Sequence, residues 1–180
     1  MALRFRGEST HKVDTKGRVS IPAAFRRVLE EGDPDVRATA GAGREVLPSL
    51  VIVYGDERRA FLEGYTMDAI AEVDEKISSL PRGSKLRRYL ERTFNAQSIN
   101  TQVDAAGRLL LPSAIRRKVG IEEEALFVAA GDTFQIWAPV AYEAHVGEVD
   151  AFADDLAPDA DPLEMLDRAL AAQARHPDGA

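Results

Sequence analysis

The stretch "VDTKGRVSIPAAFRR", Val13 to Arg27, returns as "VDAAGRLLLPSAIRR", Val103 to Arg117. Aligned without gaps, the two agree at eight of fifteen positions: Val, Asp, Gly, Arg, Pro, Ala, Arg and Arg. One copy would be a turn that leads into a helix. Two copies, ninety positions apart, mark a duplicated fold.

Each copy has a physical reading. Val13 stands before a short polar tip, and Val19 and Ile21 follow it on a period of two, which predicts strand on both sides. Asp14 is placed to accept backbone amides two or so residues on, as in an Asx turn. Gly17 supplies the left-handed position that closes a hairpin loop. Arg18 should then project from the base of the tip. Pro22 ends the strand and suits a first helical turn, "AAFRRVLEE" continues as helix, and Gly32 with Pro34 stops it. The second copy follows the same plan through Asp104, Gly107, Arg108 and Pro112 to a helix ending at Gly120.

The likeness extends past the helix. Leu50 to Val73 lines up with Leu126 to Val149, each reading as strand, Gly-Asp turn, strand and amphipathic helix. The offset there is 76 rather than 90, so the first half carries about fourteen extra residues in "GDPDVRATAGAGREVLPS", a surface-loop composition. Pro81 and Gly83 break the chain before a basic helix that runs to about Phe94. The last thirty residues are acidic and rich in Ala and Pro, which predicts a flexible tail with one short helix around Pro162 to Arg175.

At 180 residues the chain can bury a real core. It has no run of eighteen apolar residues, and no apolar stretch follows the basic start "MALRFRGEST", so neither a membrane span nor a signal peptide is expected. Cysteine is absent, which removes disulfides and thiolate metal sites and fits the cytoplasm.

The net charge of −7 is unevenly spread. Residues 1–27 balance at +5, residues 28–81 at −7, residues 82–118 at +7 and residues 119–180 at −12. Each basic block contains one copy of the repeat. That asymmetry points to an acidic partner such as nucleic acid despite the acidic total.

The opening "FRGESTHKVDTKGRVSIP", the second "VDAAGRLLLP" and the spacing between them closely resemble MraZ, a family of transcriptional regulators of bacterial division and cell-wall gene clusters. The resemblance covers roughly residues 4–150. It implies a mainly β fold with short helices, in which two AbrB-like repeats interleave as an intramolecular pseudo-dimer, a double-split, swapped-hairpin barrel. The first repeat would span 1–81 with its insertion at about 33–49. Residues 82–150 would hold the linker helix and second repeat, and 151–180 the acidic tail. The resemblance further implies a ring-shaped homo-oligomer that binds short tandem repeats of a promoter, with repression the expected outcome and the nucleoid the expected place. A ring also makes physical sense, because it adds together the few phosphate contacts each subunit can make.

Site residues follow position by position. Arg18 and Arg108, each beside its turn glycine, are candidates for bidentate contact with guanine in the major groove. Lys16 is a point charge suited to phosphate, and its counterpart is Ala106, so the first copy should bind more strongly. Arg4, Arg6 and Lys12 are candidates for backbone contacts. The competing reading of Arg18 and Arg108 is that each pairs with Asp14 or Asp104 of its own motif and fixes the turn. For Arg26, Arg27, Arg116 and Arg117 an ion-pair or interface role stands ahead of DNA contact. "GAGR" at Gly41 to Arg44 is too short for a dinucleotide fingerprint. Glu122 to Glu124 read as loop or helix-start acids, and His11, His145 and His176 lack metal spacing. Phe134 and Trp137 read as core. No enzyme chemistry, cofactor, metal or small-molecule substrate is expected. The rival function is a toxin-neutralising antitoxin, which two fused repeats argue against.

Overall fold

Both Asp-x-x-Gly turns form as their residues dictate. The Gly17 N–H donates to the Asp14 carbonyl at 2.8 Å, the Gly107 N–H to the Asp104 carbonyl at 2.8 Å, and the two glycines sit at φ 83° and 74°. These turns belong to a computed structural model that describes residues 4–40, 46–56, 58–154 and 160–175. The chain divides into two compact units, residues 1–142 and 143–180.

In the first half β1 (Glu8–Lys12) and β2 (Arg18–Ser20) flank the turn, followed by α1 (Ala23–Glu31), α2 (Pro34–Thr39), β3 (Ser49–Val53), β4 (Phe61–Thr66) and α3 (Met67–Ser79). The basic α4 (Lys85–Glu91) runs on into a π-helical turn at Arg92–Ala96. In the second half β5 (Ser98–Gln102) and β6 (Arg108–Leu110) flank the turn, then α5 (Ser113–Lys118), β7 (Glu124–Ala130), β8 (Thr133–Trp137) and α6 (Pro139–Asp154). Last comes α7 (Pro162–Arg175), where a short helix is expected. The strand–turn–strand–helix unit therefore occurs twice, as the aligned segments predict. "GAGR" and His176 both fall wholly outside the described residues.

Two expectations need correction. The alternation around Asp14 predicts a hairpin of β1 with β2, yet only the Val13–Val19 bridge joins them. β1 pairs instead with β7, Glu8 opposite Val128 through Lys12 opposite Glu124, while β2 pairs with β6. The turn diverts the chain because β2 is only three residues long and finds its ladder on its own counterpart, which buries Val19 against Leu109. Nor does the sheet close into a barrel. Its order is β1-β7-β8-β4-β3-β5, every described pairing is antiparallel, and β1 and β5 remain edges. Closure would need β1 to meet β5, but each runs straight into its own Asp-x-x-Gly turn and leaves the sheet for the separate β2–β6 ribbon. The fold is accordingly mixed α/β, a mostly antiparallel sheet with short helices, rather than mainly β.

Both halves fill one core. Phe5 and Phe25 from the first half pack on Phe127 and Phe134 from the second, with ring centroids 5.0–6.4 Å apart, in the edge and offset geometries that aromatic quadrupoles favour. Val19, Leu109 and Leu111 close this core beneath the ribbon with no exposed surface. The other face of β3 and β4 buries Val51, Val53 and Tyr65 against Ile70 of α3. Phe134 and Trp137 are core, as expected.

The insertion is stapled at its base. Asp33 is 3% exposed; its carboxylate accepts the Asp35 N–H at 2.9 Å, capping α2, and the Ser49 N–H at 2.8 Å, where β3 begins. Asp33→Ala should cost about 1–2 kcal/mol, since it removes the cap of α2 and leaves the part-buried amides of Asp35 and Ser49 without their acceptor, and a chemical denaturation series reads this directly.

The ribbon is locked from both sides by its glycines. The Leu111 N–H donates to the Gly17 carbonyl at 2.9 Å and the Ile21 N–H to the Gly107 carbonyl at 3.0 Å. A methyl group on Gly17 would lie 2.7 Å from the Leu111 carbonyl oxygen, whereas on Gly107 it would meet the movable guanidinium of Arg26. Alanine at either glycine should cost about 1–2 kcal/mol for the left-handed backbone. Gly17→Ala should lose more, because a carbonyl cannot swing aside; thermal melts of the two variants give the order.

Candidate nucleic-acid interface

Each tip is organised by one carboxylate. In the first, Asp14 Oδ1 accepts the N–H groups of Lys16 and Arg18, both at 2.9 Å, and Oδ2 takes Arg18 Nε at 2.6 Å. In the second, Asp104 Oδ1 accepts Ala106 and Arg108, both at 2.9 Å, and Oδ2 takes Arg108 Nε at 2.9 Å. The Arg18 backbone N–H is the main force holding the Asp14 carboxyl below its ordinary range, helped by the Arg18 side chain. For Asp104 the Arg108 side chain comes first and its backbone N–H second.

The competing reading of the two arginines is thus present as geometry: each pairs with its own aspartate. Such half-exposed pairs add little to stability. Their effect is to aim the side chain. A guanidinium has five N–H donors, and Arg18 uses Nε on Asp14. Arg108 brings both Nε and Nη2 to Asp104 Oδ2, each at 2.9 Å, and is held more tightly.

The ribbon brings both arginines to one surface. In the β2–β6 register Arg18 lies opposite Leu110 and Ser20 opposite Arg108, while Val19 opposes Leu109. Cross-strand partners point to one side, so Arg18, Ser20, Arg108 and Leu110 form the outer face above the buried Val19 and Leu109. Arg18 and Arg108 are diagonal neighbours, about 7–8 Å apart. Lys16 is exposed on the first tip and Ala106 on the second.

The remaining candidates are placed elsewhere. Lys12 lies opposite Glu124 and lines a hollow with Glu122, Glu123 and Glu124, beside the first tip. Arg4 reaches the β7–β8 turn at Gly131, beyond the end of β1 opposite to Lys12. Arg6 is exposed in the same segment.

The sequence predicts an ion-pair or interface role for Arg26 and Arg116, and the structure places each against the turn glycine of the other repeat, with no ion pair to either among the described residues. The Arg26 guanidinium covers Gly107, and Arg116 Nε sits over Gly17 while donating to the Leu111 carbonyl at 3.0 Å. Other members of the basic blocks are also structural. Arg87 donates to the Ser78 and Leu80 carbonyls at the end of α3, and Lys118 Nζ to the Tyr54 carbonyl. Ser20 and Leu110 were missed as members of the outer face; counting in twos from the arginines would have found them.

The chain matches the sequence profile described as "MraZ protein, putative antitoxin-like" over residues 4–46 and 94–160. It is 58% identical over 170 residues to the transcriptional regulator MraZ of Ruegeria sp. (strain TM1040), covering 94% of this chain and 98% of that one. Identity to the protein of that name from Ruegeria pomeroyi is 56%, with the same coverage. To that from Cereibacter sphaeroides (strain ATCC 17029 / ATH 2.4.9) it is 41% over 174 residues, covering 93% and 98%. On matches of that extent, the chain belongs to the MraZ family.

Proposed function

We propose that this protein is a sequence-specific DNA-binding transcriptional regulator, a repressor at the promoter of a division and cell-wall gene cluster. The observation that carries the reading is the two-stranded ribbon with Arg18 and Arg108 on one outer face, each steadied by its own aspartate. A two-stranded ribbon fits the width of the major groove, and an arginine with free distal donors suits guanine O6 and N7. The names of the relatives, transcriptional regulators, agree. Lys16 supplies a phosphate contact beside the groove. Arg4, Arg6 and Lys12 supply weaker backbone contacts, Lys12 against the opposing charge of Glu122–Glu124.

On this reading the two repeats, 1–81 and 82–150, act as an intramolecular pseudo-dimer of the swapped-hairpin kind, with 151–180 as an acidic appendage. The exchange of strands between halves supports it: β1 pairs with β7, β5 with β3, and β2 with β6. A ring of such subunits on short tandem repeats multiplies few contacts into a useful affinity. The place of action is the cytoplasm, at the nucleoid.

Toxin neutralisation is the second reading, favoured by the words "antitoxin-like" and by Leu163, Leu166 and Leu170, three exposed leucines at helical spacing on α7. Removal of residues 151–180 separates the two: a DNA regulator keeps its operator affinity, whereas an antitoxin loses its partner.

Arg18→Ala should weaken binding to the promoter duplex by about 1–3 kcal/mol for each bidentate arginine–guanine pair removed per subunit, with an unchanged thermal melt. Wild-type affinity in a fluorescence anisotropy titration would contradict the groove assignment. Lys16→Ala should behave differently, lowering the slope of log affinity against log salt by about 0.9 per engaged subunit and weakening operator and random duplexes alike.

A further inference from the structure

The outer face of the ribbon is not symmetric. Arg18 and Arg108 are equivalent in the two repeats, but Ser20 in the first is matched by Leu110 in the second. Leu110 is 51% exposed, while its neighbours Leu109 and Leu111 show no exposed surface. A single exposed leucine is ordinary on a protein surface. This one is set apart by its position, with one guanidinium directly across the ribbon and another two residues along its own strand.

A protein partner that buried Leu110 would have to bury two guanidiniums beside it, at a desolvation cost that apolar contact does not offset. A major-groove edge suits the set as it stands. Guanine offers O6 and N7 to an arginine, and the neighbouring thymine offers a C5-methyl group to an apolar side chain. Base pairs rise by about 3.4 Å and cross-strand side chains stand about 5 Å apart, so Arg18 and Leu110 span adjacent steps.

We infer that Leu110 is a specificity-determining residue that packs on a thymine C5-methyl group next to a guanine held by Arg18 or Arg108. This rests on the DNA-binding reading above. It makes the second repeat a reader of a methyl group and leaves the first, with Ser20, indifferent to it. The sequence read by one subunit is then not palindromic, although the fold that reads it is nearly two-fold.

The test uses the full-length protein and duplexes it selects from a random library. Each thymine of the selected duplex is replaced in turn by uracil, which pairs identically and lacks only the methyl. Wild type should lose about fourfold in affinity at one thymine per binding unit, the worth of one buried methyl-sized group. Leu110→Ala should bind thymine and uracil duplexes equally while melting like wild type, and Arg18→Ala should bind weakly yet keep the thymine preference. The inference is overturned if wild type ignores every uracil, or if Leu110→Ala keeps the full thymine preference. It is also overturned if Leu110→Ser changes the assembly mass in sedimentation, which would place Leu110 between copies of the chain. A library that enriches no sequence would sink the DNA reading itself, and this inference with it.

Discussion

The molecule depends on a reciprocal exchange at two glycines. The carbonyl of Gly17 accepts an amide from the second repeat, and the carbonyl of Gly107 accepts one from the first. Neither bond can form within a single repeat. The left-handed turn aims the carbonyl outward, and the absent side chain leaves room for Arg116 or Arg26 of the other repeat to lie across it. Each repeat therefore completes the other's turn. The ribbon, the shared phenylalanine core beneath it and the common arginine face follow from that one constraint.

Charge is sorted around the same feature. On the proposed DNA-binding reading, a chain of net charge −7 meets a polyanion through cations that are not spread evenly, and others of its cations are committed to the fold. Arg87, Arg116 and Lys118 hold backbone elements in place, and Arg26 lies across Gly107. Arg18, Arg108 and Lys16 remain at the outer surface. The surroundings of the two tips differ: the acids Glu122–Glu124 border the first, whereas Val103 of the second bonds to the Pro48 carbonyl at the end of the insertion. Near-symmetric geometry thus presents two chemically different ends.

Much of this was legible in the residues. Asp14 with Gly17, and Asp104 with Gly107, specify their turns locally through one carboxylate and one positive φ, and both turns are present. The repeated strand–turn–strand–helix unit and the helix at Pro162–Arg175 were equally local. What the sequence concealed was non-local pairing. Alternation around Asp14 predicts strand on both sides of the turn, but it does not say which strand each will meet: β1 and β2 found their ladders in the other repeat, and only the single Val13–Val19 bridge joins them to each other. For the same reason an open sheet with two edges could not be told from a closed barrel. At the site, residue types pointed to Arg18 and Arg108 but not to their joint surface, which exists only once β2 and β6 are in register.

The most direct test of the account is hydrogen exchange of the full assembly with and without a selected duplex, read by mass spectrometry over the whole chain. A single DNA-facing ribbon built from both repeats predicts slowed exchange in residues 13–21 and 103–111 together, with little change in residues 85–92 of the exposed basic helix. Protection of that basic helix in place of the two tips, or of one tip alone, would contradict it.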